Sequence, residues 1–196
     1  MNNVDYIQRR QNSRKQWLRI RLGVLQMIYK PLFHLFLLPI IAGTIFLWVK
    51  KDIAFTLFDV PQILFPIYKY SVLLIMVLLP VIFTLAVIEA IGNMTAKKDE
   101  QNLAEAFDNH DLRNGCPILM NKKRIKGSNV TMREFYSSGI PMKVWVEKQE
   151  NIADVMNVHF VEPFRYGGKS NGRRIVMYTA PGRETVLKGI LYDDEF

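Results

Sequence analysis

The chain has little of what enzymes and secreted proteins use for catalysis and cross-links. Its 196 residues include one cysteine and three histidines. A single cysteine excludes an intramolecular disulfide, and Cys116, beside Pro117, is interpreted as a small core residue. No HExxH, paired CxxC or Gly-x-Ser-x-Gly motif occurs, and His110 and His159 lack the spacing of metal ligands. The sequence therefore predicts no catalytic residue, no metal and no cofactor.

A nucleotide-binding loop is also absent, although one short motif resembles the end of such a loop. Gly168-Lys169-Ser170 matches the last part of a P-loop, but the glycine required five positions earlier is Pro163. The next two residues, Asn-Gly, are typical of a turn. This segment is therefore interpreted as a hairpin turn, and the chain is not expected to be an enzyme.

Acidic residues are almost absent from the first thirty positions. Residues 1–30 contain seven Lys/Arg and one acid, Asp5, whereas the chain after Tyr70 contains sixteen bases and fifteen acids. The net charge of +8 therefore reflects a basic N-terminal arm, and it does not by itself indicate nucleic-acid binding.

Charge is absent from two long runs, residues 31–49 and 70–88, each nineteen residues without Asp, Glu, Lys or Arg. At a rise of about 1.5 Å per residue each run spans about 28 Å, close to the hydrocarbon thickness of a bilayer. The remainder of so short a chain does not supply a core that buries both. We therefore predict two transmembrane helices within residues 31–92, at about 31–49 and 70–91, with a short apolar loop between them.

Basic residues predict the orientation of these helices. The arm, residues 1–30, precedes the first run, and Lys97 and Lys98 follow the second. The positive-inside rule then places both termini in the cytoplasm of a multi-pass protein of the cell membrane, with the lipid bilayer as a partner. The loop, residues 53–67, is expected outside, either in the outer interface or as a re-entrant element.

Residues 17–29 mix apolar side chains with two arginines. One interpretation is an interfacial helix on the inner leaflet, with Arg19 and Arg21 directed toward anionic headgroups. The other is an ordinary basic flank of the first span. The sequence does not decide between them.

Residues 93–196 are predicted to form a cytoplasmic α+β domain with a mostly antiparallel sheet, in the order helix, two strands, helix, two strands. The predicted helices are residues 96–108 and 150–158. The predicted strands are residues 131–136, 142–146, 159–165 and 173–179.

Two basic clusters in this domain are candidate nucleic-acid contacts, because phosphate binding needs Lys and Arg on one face. The candidates are Lys122, Lys123, Arg124, Lys126, Arg173 and Arg174. The alternative is a solvated edge strand protected by lysine, which is favoured because the charge of the domain is nearly balanced.

The chain resembles the membrane-proximal region of FtsK/SpoIIIE-type DNA translocases, particularly the coupling type found in conjugative elements. The stretches that carry the resemblance are residues 105–119, 135–146, 151–162 and 174–181, together with residues 188–195, which resemble the linker before the motor. In that family a RecA-like domain after this region hydrolyses ATP. Neither Walker motif occurs in this chain, so it is expected to be a truncated reading frame, a fragment or a stand-alone homologue.

The resemblance implies a membrane anchor and an oligomerisation or interaction module for DNA translocation or conjugative transfer, without the motor. It also implies self-association and contact with DNA or with conjugation and secretion machinery. The alternative function is a stand-alone two-span membrane accessory or regulatory protein with a cytoplasmic sensor domain.

Overall fold

The structure is a computed structural model that describes residues 3–137, 139–168 and 171–183, with the backbone alone for residues 3–11 and Asn114. Its contacts divide the chain into two compact units. The first unit holds the described residues up to Glu100 together with Ile118–Lys123. The second holds Gln101–Pro117 and the described residues from Arg124 onward.

The first unit is built mainly of helices. They are α1 (Asn3–Tyr29), a 3-10 helix (Pro31–Leu37), α2 (Leu38–Val49), α3 (Lys51–Phe55) and α4 (Phe65–Ala106), whose last turns belong to the second unit. Proline stands at the start of both the 3-10 helix and α2, where its missing N–H is not needed. Within the described residues, two helical stretches, Pro31–Val49 and Phe65–Ala106, are long and apolar enough to cross a membrane.

The helix predicted at residues 96–108 is confirmed as far as Ala106, but it is the end of α4 and not an element of its own. The polar residues there extend α4, which continues from the apolar run to Ala106 without a break. Two residues that disfavour helices, Pro80 and Gly92, lie within α4 and do not end it. After α4 come a short 3-10 helix (Asp111–Asn114) and the first strand.

The α+β prediction is confirmed, with a four-stranded antiparallel sheet in the order β1-β2-β4-β3. The strands are β1 (Ile118–Arg124), β2 (Thr131–Tyr136), β3 (Val158–Gly167) and β4 (Asn171–Pro181). In β2 and β4, Thr131 is paired with Thr179 and Tyr136 with Arg174. Gly167 of β3 is paired with Asn171 of β4, so the segment that resembles a P-loop connects two hairpin strands. Lys169 and Ser170 themselves lie outside the described residues.

The predicted strand at residues 142–146 is wrong, because Met142–Glu147 forms a helix, α5. Pro141 precedes it in an extended conformation, and its carbonyl accepts hydrogen bonds from the N–H groups of Val144 and Trp145. The helix places the indole of Trp145 in the core of the second unit, where it is 0% exposed. Its ring centroid lies 4.9 Å from that of Phe107.

The helix predicted at residues 150–158 is confirmed as α6 (Gln149–Met156), which ends where Asn157 adopts a left-handed conformation with φ 50°. Asparagine tolerates this conformation better than most residues other than glycine. Ile152, Ala153 and Met156 are buried on the inner face of the helix. The spacing of these three residues matches one face of an amphipathic helix.

Candidate functional site

A cluster of charged side chains lies in the first unit, with Glu100 at its centre. One oxygen of Glu100 accepts a hydrogen bond from the guanidinium of Arg19, and the other accepts the backbone N–H of Leu119 at 2.8 Å. Lys15 Nζ lies 3.9 Å from the same carboxylate. The single carboxylate of Glu100 therefore links helix α4 to both helix α1 and strand β1.

A second set of contacts continues the cluster along β1. Lys122 Nζ lies 2.7 Å from Asp99 Oδ2, and the carbonyl oxygen of Lys122 accepts a hydrogen bond from Gln26 Nε2 at 2.6 Å. The ammonium of Lys123 lies 5.4 Å from the ring centroid of Tyr29, within the range of a cation–π interaction. Residues 118–123 are thus attached to α1 and α4 by side chains of both helices.

Arg19 is 3% exposed, so the interpretation that directs its side chain toward lipid headgroups does not hold for this residue. Its Nε and Nη1 atoms are buried without a hydrogen-bond partner among the described residues. The carboxylate of Glu100 is therefore the main group that compensates the buried charge of Arg19. A buried guanidinium is tolerated only when it is paired, because removing a charge from water is costly. Arg21 is two residues further along, on the opposite side of helix α1, and is exposed.

The first group of predicted nucleic-acid contacts is largely engaged within the protein. Lys122 and Lys123 form the contacts described above. Arg124 donates hydrogen bonds to Asn129 Oδ1 at 2.7 Å and to the Ser128 carbonyl at 3.4 Å. Lys126 lies in the turn after β1 and is exposed. Of these four residues, Lys126 alone forms no side-chain hydrogen bond, ion pair or cation–π contact within the described part of the chain.

The second group lies at the start of β4. Arg174 Nη1 is 3.5 Å from Glu134 Oε1, whereas Arg173 is exposed. Within the second unit, the Lys126 turn precedes Thr131 at one end of β2, and Arg174 is paired with Tyr136 at the other end. Thr131 and Tyr136 are five positions apart on an extended strand, which separates them by about 17 Å. Within the second unit, Lys126 and Arg174 therefore lie toward opposite ends of β2, and nucleic-acid contact by the six residues stays a prediction.

The charged cluster around Glu100 was not found from the sequence. Its partners are distant along the chain, since Arg19 and Glu100 are 81 positions apart. The one local signal is the acidic pair Asp99-Glu100, which follows Lys97 and Lys98. Such a mixed-charge stretch is normally a solvated helix face, so the signal does not predict burial.

A surface ion pair connects elements of the second unit. Lys148 Nζ lies 2.7 Å from Asp108 Oδ2. The hydrogen bond to the Asp108 carboxylate raises the pKa of Lys148 above its ordinary value, with smaller contributions from the charges of Asp111 and Glu147. The pair joins the segment after α4 to the junction between α5 and α6.

An apolar groove of about 410 Å³ lies between α2 and α4 in the first unit. Pro39 and Gly43 line it from α2, and Pro80 and Phe83 line it from α4. A β-carbon added to Gly43 would have no atom within 4 Å. The groove therefore has space for a larger side chain at residue 43.

No family model and no curated protein matches the chain. Among solved structures, the chain is similar to the pCW3 conjugation coupling protein TcpA in its monomer form with ATPgS, with 19% sequence identity and a TM-score of 0.36. The match covers 43% of this chain and 24% of that chain. That protein is of the class indicated by the sequence resemblance, but a likeness of this size carries no argument about the fold or the function of this chain.

Proposed function

We propose that this chain is the membrane anchor and the oligomerisation and interaction module of an FtsK/SpoIIIE-like DNA translocation or conjugative transfer protein, without its motor. Both termini are cytoplasmic in this proposal, and the chain itself carries out no catalysis. The resemblance of residues 105–119, 135–146, 151–162 and 174–181 to the membrane-proximal region of that family supports the assignment of the module.

The observation that best supports a membrane anchor is the exposure of the apolar helices to the surface. None of the side chains between Pro31 and Val49 is buried, although the stretch contains no Asp, Glu, Lys or Arg. A core helix of a soluble protein buries its apolar face, and a soluble surface rarely exposes an apolar patch of this length. Lipid is the solvent that suits such a helix.

The contacts of Glu100 and Gln26 support the attachment of strand β1 to the helices of this anchor within the first unit. Glu100 lies on the same uninterrupted helix as the second apolar run, and its carboxylate accepts a hydrogen bond from the N–H of Leu119. Gln26, five residues before the first run, donates a hydrogen bond to the carbonyl of Lys122. The first strand is therefore attached to α1, which precedes the first span, and to α4, which contains the second.

Cysteine accessibility in cells tests the anchor and its orientation. In a Cys116→Ala background, Asp59→Cys places a thiol in the exposed loop between the spans, and Lys143→Cys places one on the exposed face of α5. We expect a membrane-impermeant maleimide to label Asp59→Cys in intact cells and Lys143→Cys only after lysis. Labelling of Lys143→Cys in intact cells contradicts the orientation, and release of the chain from membranes by alkaline carbonate contradicts the anchor.

The role in transfer needs a separate test. Deletion of the gene from its host should lower the frequency of conjugative DNA transfer, and the full chain supplied in trans should restore it. Light scattering of the chain in detergent should show an oligomer. Unchanged transfer contradicts the proposed process, and a monomer at all concentrations contradicts the oligomerisation module.

A further inference from the structure

Helix α1 has a buried face and an exposed face on opposite sides. The buried positions recur at helical spacing and therefore form one face of the helix. They are Leu18, Arg19, Leu22, Gly23, Gln26 and Met27. This face packs within the first unit, where Gly23 meets the backbone of Ile88 in α4.

The opposite face is apolar with one basic residue at its centre. Trp17, Val24 and Ile28 are 67%, 42% and 68% exposed, and Arg21 between them is exposed as well. Spacings of four, three and four residues place these four side chains on one stripe. A helix in contact with water on this side normally carries polar residues there, so the stripe lacks a partner within the described residues.

We propose that this stripe, Trp17, Arg21, Val24 and Ile28, binds the anionic lipid surface of the cytoplasmic leaflet. The inference rests on the proposed function, in which residues 31–49 cross the bilayer. Helix α1 ends at Tyr29, and the first span begins at Pro31 after a single residue, Lys30. The stripe therefore lies next along the chain to the segment that the bilayer covers in that proposal.

The residue types of the stripe fit a lipid interface. Tryptophan prefers the headgroup region because its ring is apolar and its N–H is polar. The apolar side chains of Val24 and Ile28 suit the boundary of the acyl chains, and the guanidinium of Arg21 suits phosphate oxygens. The basic arm, with seven Lys/Arg in residues 1–30, adds attraction to an anionic leaflet.

Spin labels on the full chain test the inference. In the Cys116→Ala background, Val24→Cys and Ile28→Cys carry the label on the stripe. Lys143→Cys serves as the reference for water, and Ile75→Cys, exposed within the second apolar run, serves as the reference for the bilayer. The proteins are placed in nanodiscs of phosphatidylglycerol and phosphatidylcholine, and collision with oxygen is compared with collision with a water-soluble nickel complex.

We expect the labels at residues 24 and 28 to collide more with oxygen than with nickel, between the two references. Nanodiscs of phosphatidylcholine alone, or the substitution Arg21→Gln, should shift both labels toward the water reference. Stripe labels that match the water reference, while Ile75→Cys stays in the bilayer, overturn the inference and leave the anchor intact. Stripe labels shielded from both reagents also overturn it, since a second copy of the chain then covers the stripe. An aqueous Ile75→Cys label would instead contradict the anchor.

Discussion

Gly23 and Ile88 bring helices α1 and α4 into backbone contact. A β-carbon built on Gly23 would lie 2.0 Å from the carbonyl oxygen of Ile88. One helical turn away, a β-carbon on Gly92 would lie 2.1 Å from the carbonyl oxygen of Arg19. Each helix therefore contributes one glycine to the contact, and the two helices run in opposite directions past each other. Small residues permit this closeness, which larger side chains would prevent.

Substitution of Gly23 by alanine should therefore separate the two helices. The added methyl group overlaps a backbone atom that has no freedom to move aside, so we expect Gly23→Ala to destabilise the first unit by about 1–3 kcal/mol. Thermal unfolding of the chain in detergent, followed by circular dichroism, measures the loss.

Gly43→Ala is the matched control, because a β-carbon at residue 43 has no neighbour within 4 Å. Alanine also favours the helical conformation by about 0.8–1.0 kcal/mol relative to glycine. The Tm of this variant should be unchanged or higher. Equal effects of the two substitutions would show that Gly23 acts through helix propensity and not through the contact with Ile88.

Removal of the charge of Glu100 should leave Arg19 buried without its counterion. We expect Glu100→Gln to cost about 3–5 kcal/mol, the range for breaking one side of a buried ion pair. Chemical unfolding in detergent measures the loss. Glu147→Gln is the control, because Glu147 pairs with Lys143 on an exposed helix face, where such pairs contribute about 0–1 kcal/mol.

The double variant Arg19→Met with Glu100→Gln separates the ion pair from the rest of the site. Glutamine retains an oxygen that accepts the N–H of Leu119, and methionine removes the uncompensated charge. We expect the double variant to be more stable than Glu100→Gln alone, which is the signature of direct coupling. Additive losses would mean that Glu100 stabilises the chain mainly through Leu119.

The parts of the fold that follow from local pattern were predicted, and the parts that depend on distant partners were not. Long uncharged runs are enough to predict helices at residues 31–49 and 70–91, because hydropathy is a property of a continuous segment. The segment at residues 142–146 is too short for its period to distinguish a strand from a helix. Burial of Trp145 against Phe107 decides in favour of the helix.

The same reasoning applies to the charged cluster. Arg19 and Arg21 are equivalent in sequence, and one of the two interpretations left open directed both toward headgroups. The structure buries Arg19 against Glu100 and leaves Arg21 exposed. Which arginine faces inward depends on the rotation of α1 on α4, and the contact between Gly23 and Ile88 determines that rotation.

The pair formed by Lys148 and Asp108 predicts a specific dependence on pH. The folded-state pKa of Lys148 is raised above 10.5 by its hydrogen bond to Asp108. Its contribution to stability is therefore fully present below pH 10.5 and is lost as the pH rises through the folded-state value. Lys148→Gln should lower the Tm by a constant amount between pH 7 and 9, and the difference should shrink in more alkaline buffer. A difference that persists unchanged would exclude titration of Lys148 as its source.

Binding of DNA should depend on Lys126 and Arg173, because both are exposed, whereas Lys122 and Arg174 are paired with carboxylates. Two phosphate contacts predict that the affinity falls about tenfold between 50 and 200 mM salt. Electrophoretic retardation of duplex DNA by the full chain in zwitterionic nanodiscs measures this dependence. Lys126→Gln with Arg173→Gln should abolish retardation, and the control Lys143→Gln should not change it. A salt dependence that corresponds to about six contacts would instead mean that all six predicted residues reach phosphates, which requires the pair of Lys122 with Asp99 to open.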